Sequence, residues 1–78
     1  MPKKQIVHPQ ELGALAKRYR LLSGKTKIEA AAELGVNRTS IQLAEENPEQ
    51  RLPGLRIRMI ERFSRYRMVG PVYVMELK

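Results

Sequence analysis

Arg38, Thr39, Ser40 and Gln42 stand close together directly after Asn37, gathering a guanidinium, two hydroxyls and a carboxamide at the start of an amphipathic stretch. Side chains of these types donate and accept hydrogen bonds and carry charge. None has a base beside it that would make it a nucleophile, so the chemistry they offer is recognition rather than bond cleavage. The rest of the chain adds nothing catalytic. His8 is the only histidine, there is no cysteine, and all eight acidic residues are glutamate. With no Cys or Asp, no metal site, thiol centre or catalytic triad can be assembled. We expect no enzyme, no metal and no cofactor.

Charge narrows the partner. Fifteen Lys and Arg against eight Glu give a formal net charge of +7 and a pI near 10.3. Such an excess favours a polyanion, nucleic acid first and an anionic membrane surface second. No run approaches the length needed to span a bilayer, and residues 1–8 carry no signal-peptide pattern. The expectation is an intracellular, cytoplasmic protein with no membrane partner. At 78 residues the chain is one domain with a single modest core.

The elements that must position these side chains read as a helical series. Residues 1–8 form a basic arm or short edge strand. His8-Pro9-Gln10-Glu11 marks a helix start, and Leu12, Leu15, Ala16, Tyr19 and Leu22 follow at helical spacing up to Ser23-Gly24. Thr26-Lys27-Ile28-Glu29 is a capping box opening a short helix, with Ile28, Ala31 and Leu34 facing inward and Gly35 ending it. Asn37 is the next N-cap, Ile41 and Ala44 form the inner face, and Asn47-Pro48 ends that helix. A last helix runs from Leu52-Pro53 to about residue 67, its apolar stripe Leu55, Met59, Ile60, Phe63 and Tyr66. Its alternating arginines, Arg58, Arg62 and Arg65, read as a solvated face. After Gly70-Pro71 the period changes, and residues 72–77 read as a strand.

Counted from Lys27 as the first position, Ala31 is fifth, Gly35 ninth, Val36 tenth, Ile41 fifteenth and Ala44 eighteenth. The small Ala31 lets two helices cross closely, Gly35 makes the sharp turn, and Leu34, Val36 and Ile41 fill the angle. This is the spacing of the helix-turn-helix. Over roughly Gln10 to Tyr66 the chain resembles the Cro/phage-repressor family, also called the XRE family.

The resemblance implies roles. In that family the second helix of the unit lies in the major groove, which would turn Arg38, Thr39, Gln42 and Leu43 toward base edges. Arg can pair bidentately with guanine and Gln with adenine, while Leu or Thr methyls can meet the thymine methyl. Asn37 and Ser40 would cap the helix or touch phosphate, and Lys27 would meet the DNA backbone. Gln50 and Arg51 match a phosphate-clamping loop. Arg20 and Glu45 match a salt bridge joining the first helix to the reading helix. Family members commonly carry Gln where this chain has Lys27 and Arg38, so their base code is not carried over.

The expected fold is a mainly α, four-helix Cro/repressor-like domain over residues 1–78, with a C-terminal strand within 69–78 able to pair with an N-terminal one. The expected function is a sequence-specific regulator of transcription, a repressor that binds double-stranded DNA on the nucleoid as a homodimer. Tyr73, Met75 and Leu77 on one strand face and Val72 and Val74 on the other are the expected dimer interface, in a sheet with strands from both subunits. The rival is a protein-interaction module, such as an antitoxin or docking domain, with an apolar patch exposed to a protein partner.

Overall fold

The computed structural model describes residues 4–47, 53–69 and 74–78. A short strand, β1 (Lys4–Ile6), leads through the buried Val7 to a 3-10 turn over Pro9–Glu11 that runs into α1 (Leu12–Leu22). Pro9 opens that turn, where its missing N–H leaves no partner unsatisfied. Helix α2 (Lys27–Leu34) begins with the expected capping box. Thr26 Oγ1 accepts from the Glu29 amide at 3.1 Å, and the Thr26 amide donates to Glu29 Oε1 at 2.9 Å. The bond from the Thr26 amide holds the Glu29 carboxyl below its ordinary pKa. Gly35 then takes φ +69°, a left-handed conformation that residues with a side chain seldom adopt.

Helix α3 (Arg38–Glu46) starts under Asn37 and stops at Asn47, whose extended backbone is the conformation that a following proline imposes. Helix α4 (Pro53–Phe63) lies along α1, and α3 rests on α1 and α2. Two strands finish the chain, β2 (Tyr66–Val69) and β3 (Val74–Leu77). With β1 they form an antiparallel sheet in the order β1-β3-β2. Ile41 and Ala44 of α3, Met59 and Ile60 of α4, Ala16 of α1 and Met75 of β3 are fully enclosed at the centre.

Two expectations about helix ends and faces are corrected. The last helix stops at Phe63 rather than near residue 67, and Tyr66 begins a strand. Ser64 turns the chain, its hydroxyl donating to the Ile60 carbonyl at 2.5 Å and accepting from the Tyr66 amide at 3.0 Å. Tyr66 lies three residues beyond Phe63 and also on the inner face of β2, so it satisfies the helical and the strand period alike. Ile28 and Leu22, expected inside, are 67% and 70% exposed. Helix α2 buries the sector of Ala30, Ala31 and Leu34, and at 100° per residue Ile28 points about 115° away from its centre. Leu22 lies at the margin of the α1 inner face, at the helix end.

The third correction concerns the C-terminal strand. Its pairing with the N-terminal segment is as expected, but the expected further strands from a second subunit are not what completes the sheet. Instead β3 is the middle strand, bonded to β1 through Gln5↔Met75 and Ile6↔Val74 and to β2 through Met68↔Met75 and Val69↔Val74. Both of its backbone edges are therefore satisfied within the chain, and among the described residues the outer strands of the sheet are β1 and β2. Met75 faces the core. Ile6, Val74 and Val69 share the outer face, where Ile6 is 72% and Val69 41% exposed. The expected interface residues Val72 and Tyr73 lie outside the described residues.

Candidate nucleic-acid interface

Helix α3 separates its residues into two sides. Ile41, Ala44 and Glu45 are buried, whereas Arg38, Thr39 and Gln42 are exposed on one sector, with Leu43 half-buried at its border. Three of the four side chains assigned to base edges therefore share a solvent-facing surface. Arg38 makes no ion pair among the described residues. Asn37 Oδ1 accepts from the Ser40 amide at 2.8 Å and from the Ser40 hydroxyl at 3.0 Å. That closes the first turn of α3, with the Asn37 side chain as its cap.

Behind this surface stands a buried ion pair. Arg20 of α1 meets Glu45 of α3 in a bidentate pair, Nε–Oε2 at 2.5 Å and Nη2–Oε1 at 3.0 Å. Its remaining nitrogen donates to the Lys25 carbonyl at 2.7 Å, so one guanidinium ties α3 to α1 and to the loop before α2. The Glu45 hydrogen bond holds the Arg20 pKa above its already high ordinary value.

Glu46 poses an electrostatic problem, since it sits on the same exposed sector as Arg38 and Gln42 and would repel a phosphate backbone. Lys17 of α1 and Lys27 of α2 approach it at 3.5 and 3.6 Å. Lys27, expected to meet phosphate, is thus shared with Glu46. The other phosphate candidates, Gln50 and Arg51, lie outside the described residues.

Arg58, Arg62 and Arg65 lie exposed, as alternation suggests, but Arg58 and Arg62 also bond to α2, and Arg56 is buried. Arg56 is only 6% exposed and donates from Nε to the Ala44 carbonyl and from Nη2 to the Asn47 carbonyl, both at 2.7 Å. Arg58 Nη2 reaches the Leu34 carbonyl at 2.6 Å, and Arg62 pairs with Glu33 at 2.9 Å. That bond to Arg62 holds the Glu33 carboxyl below its ordinary pKa. Helical spacing separates Arg56 from the others, since it shares the inner sector of α4 with Met59, Ile60 and Phe63. What brings these arginines to their acceptors is the packing of α4 against the ends of α2 and α3.

Gly13 is a contact that local sequence could flag, because an isolated glycine inside a helix often marks close backbone approach. A Cβ built there would lie 2.7 Å from the Ala44 carbonyl oxygen and 3.2 Å from that of Glu45. Gly13→Ala gains about 1 kcal/mol of helix propensity, yet it drives a methyl group into backbone that cannot swing aside. The clash wins. We expect a net loss of about 1–3 kcal/mol, the range for overpacked sites, in urea denaturation. An alanine variant more stable than the parent would show that α1 and α3 are not locked at this distance.

Among the described residues no helix is long and apolar enough to cross a membrane. Compared with protein-family models, curated proteins and solved structures, the chain finds no match in any of the three, so this interface is interpreted from its own residues and geometry.

Proposed function

We propose that this chain binds duplex DNA sequence-specifically through α3 and acts as a homodimeric transcriptional repressor on the nucleoid, in the cytoplasm. The observation that carries the reading is the exposed Arg38-Thr39-Gln42 sector, capped at its start by Asn37 and held from behind by the Arg20–Glu45 pair. A surface built of a rigid guanidinium, a hydroxyl and a carboxamide on a braced helix suits the major groove, whose edges present donors and acceptors in distinct patterns. The net charge of +7 supplies the non-specific attraction. One such helix spans only a few base pairs, so two copies on half-sites about one DNA turn apart give useful specificity. The apolar row Ile6-Val74-Val69 on the outer sheet face, rather than a β3 edge, is the surface through which two copies would meet.

The test is selection from random duplex DNA, with the mass of the complex measured alongside. A short motif should emerge, repeated in inverted orientation. Arg38→Ala or Gln42→Ala should then weaken binding to that motif by about 1–3 kcal/mol while affecting non-specific DNA much less. A selected motif that both substitutions leave unchanged would remove α3 from the reading.

A second reading, a protein-docking module, is favoured by one surface. Leu21 and Leu22 lie exposed on the outer face of α1 beside Ala14, lining a shallow apolar groove bordered by Lys17 and Arg18. A basic rim around leucines suits an acidic amphipathic helix better than a second copy of this basic chain. Under that reading no DNA motif is enriched, and an acidic helical peptide binds until Leu21→Ser and Leu22→Ser are introduced.

A further inference from the structure

Helices α2 and α3 share a deficiency that α4 corrects. Neither carries a basic residue in its last turn, and α3 ends in two glutamates, so the negative ends of both helix dipoles lack a cation of their own. Arg56 supplies one to α3 through the Ala44 and Asn47 carbonyls, and Arg58 supplies one to α2 through the Leu34 carbonyl. These carbonyls belong to the group that every helix leaves without an internal partner at its C-terminal end. Two residues apart, the arginines leave α4 about 200° apart around its axis, so a single turn of α4 reaches the C-terminal ends of both helices.

We propose that Arg56 and Arg58 are positioning residues that fix the angle at which α3 is presented, and that Arg56 in particular sets the sequence discrimination of the exposed Arg38-Thr39-Gln42 sector. The proposal rests on the DNA-binding reading. Arg56 touches no base. It acts through α3, holding the last turn by the Ala44 and Asn47 carbonyls while Arg20 grips Glu45 in the same turn from the α1 side. Held from two sides, α3 keeps one orientation toward a groove. With Arg56 gone, α3 can pivot about the Arg20–Glu45 pair, and bidentate contacts that demand narrow geometry suffer more than attraction to phosphate does.

The experiment uses the full chain with Arg56→Met, Arg56→Lys and Arg58→Met, at a temperature where circular dichroism shows each one folded. The readout is the ratio of affinity for the selected motif to affinity for a scrambled duplex, together with amide hydrogen exchange at Glu46 and Asn47. Because the ratio divides out the loss of one positive charge, a change in it reports geometry. We expect Arg56→Met to lower the ratio about tenfold or more and to speed exchange at both amides. Arg56→Lys should recover only part of the loss, since one ammonium cannot reproduce the guanidinium fork across two carbonyls. A folded Arg56→Met with an unchanged ratio overturns the proposal, whatever happens to its melting temperature. Should Arg56→Met not fold, the ratio measured on Arg56→Lys and Arg58→Met decides. If the parent protein itself prefers no sequence, the DNA-binding reading fails. The clamp is then judged on exchange alone, and amides that stay protected without Arg56 refute it.

Discussion

Glu45→Ala is expected to destabilise the fold by about 3–5 kcal/mol, because it strands the Arg20 guanidinium where water scarcely reaches. The side chains of the pair are 6% and 0% exposed. An exposed pair would be worth at most about 1 kcal/mol, so burial decides the size of this effect. At roughly 0.05–0.15 kcal/mol per residue, a domain of 78 residues holds about 4–12 kcal/mol in all. The single substitution therefore removes a large share of the total and leaves a chain near its unfolding midpoint at the lower end. Removing both charges should be far milder. The double variant Arg20→Met, Glu45→Leu fills the same space without an orphaned charge, and such replacements are often neutral. Urea denaturation followed by circular dichroism checks both. A single variant that loses less than 1 kcal/mol, or a double variant as weak as the single, would mean that the pair is better hydrated than its geometry indicates.

Affinity for duplex DNA should fall about a hundredfold between 50 and 200 mM monovalent salt. Binding that neutralises about four phosphates per domain releases their condensed counterions, and log K drops by roughly 0.9 per phosphate for each decade of salt. The cations available are those without an acidic partner among the described residues, of which Arg18, Arg38 and Arg65 are exposed. Lys17 and Lys27 contribute less than their charge suggests, since Glu46 already holds them at 3.5 and 3.6 Å. Glu46→Gln frees both and should raise affinity at low salt while steepening the slope. Fluorescence anisotropy with a labelled duplex measures the slope directly. Affinity that barely changes over this salt range would separate the protein from the phosphate backbone.

Local chemistry decided much of this protein before any packing. The Thr26-Glu29 box, Gly35 and the Asn37 cap concern groups within a few residues of each other, so their outcome is written in the neighbouring side chains and they appear where residue types place them. Amphipathic period likewise placed Ile41 and Ala44 inside and Arg38 and Gln42 outside, because a stripe on an isolated helix must face a core of some kind. The Arg20–Glu45 pairing, 25 positions apart, came from the resemblance of the two-helix unit and not from local pattern.

Tertiary structure decided what depends on a partner distant in sequence. Whether Tyr66 continues α4 or opens β2 turns on β3 offering a backbone edge, which no local period records. Ile28 is more apolar than Ala30 or Ala31, yet the face on which α2 meets its neighbours buries those two and leaves Ile28 in solvent. Helical period already puts Arg56, and not Arg65, on the sector of Met59, Ile60 and Phe63, but it does not say which acceptors a buried guanidinium would meet there. Arg56 is buried under the carbonyls that end α3, because a helix end needs donors and only the packing of α4 brings Arg56 within reach.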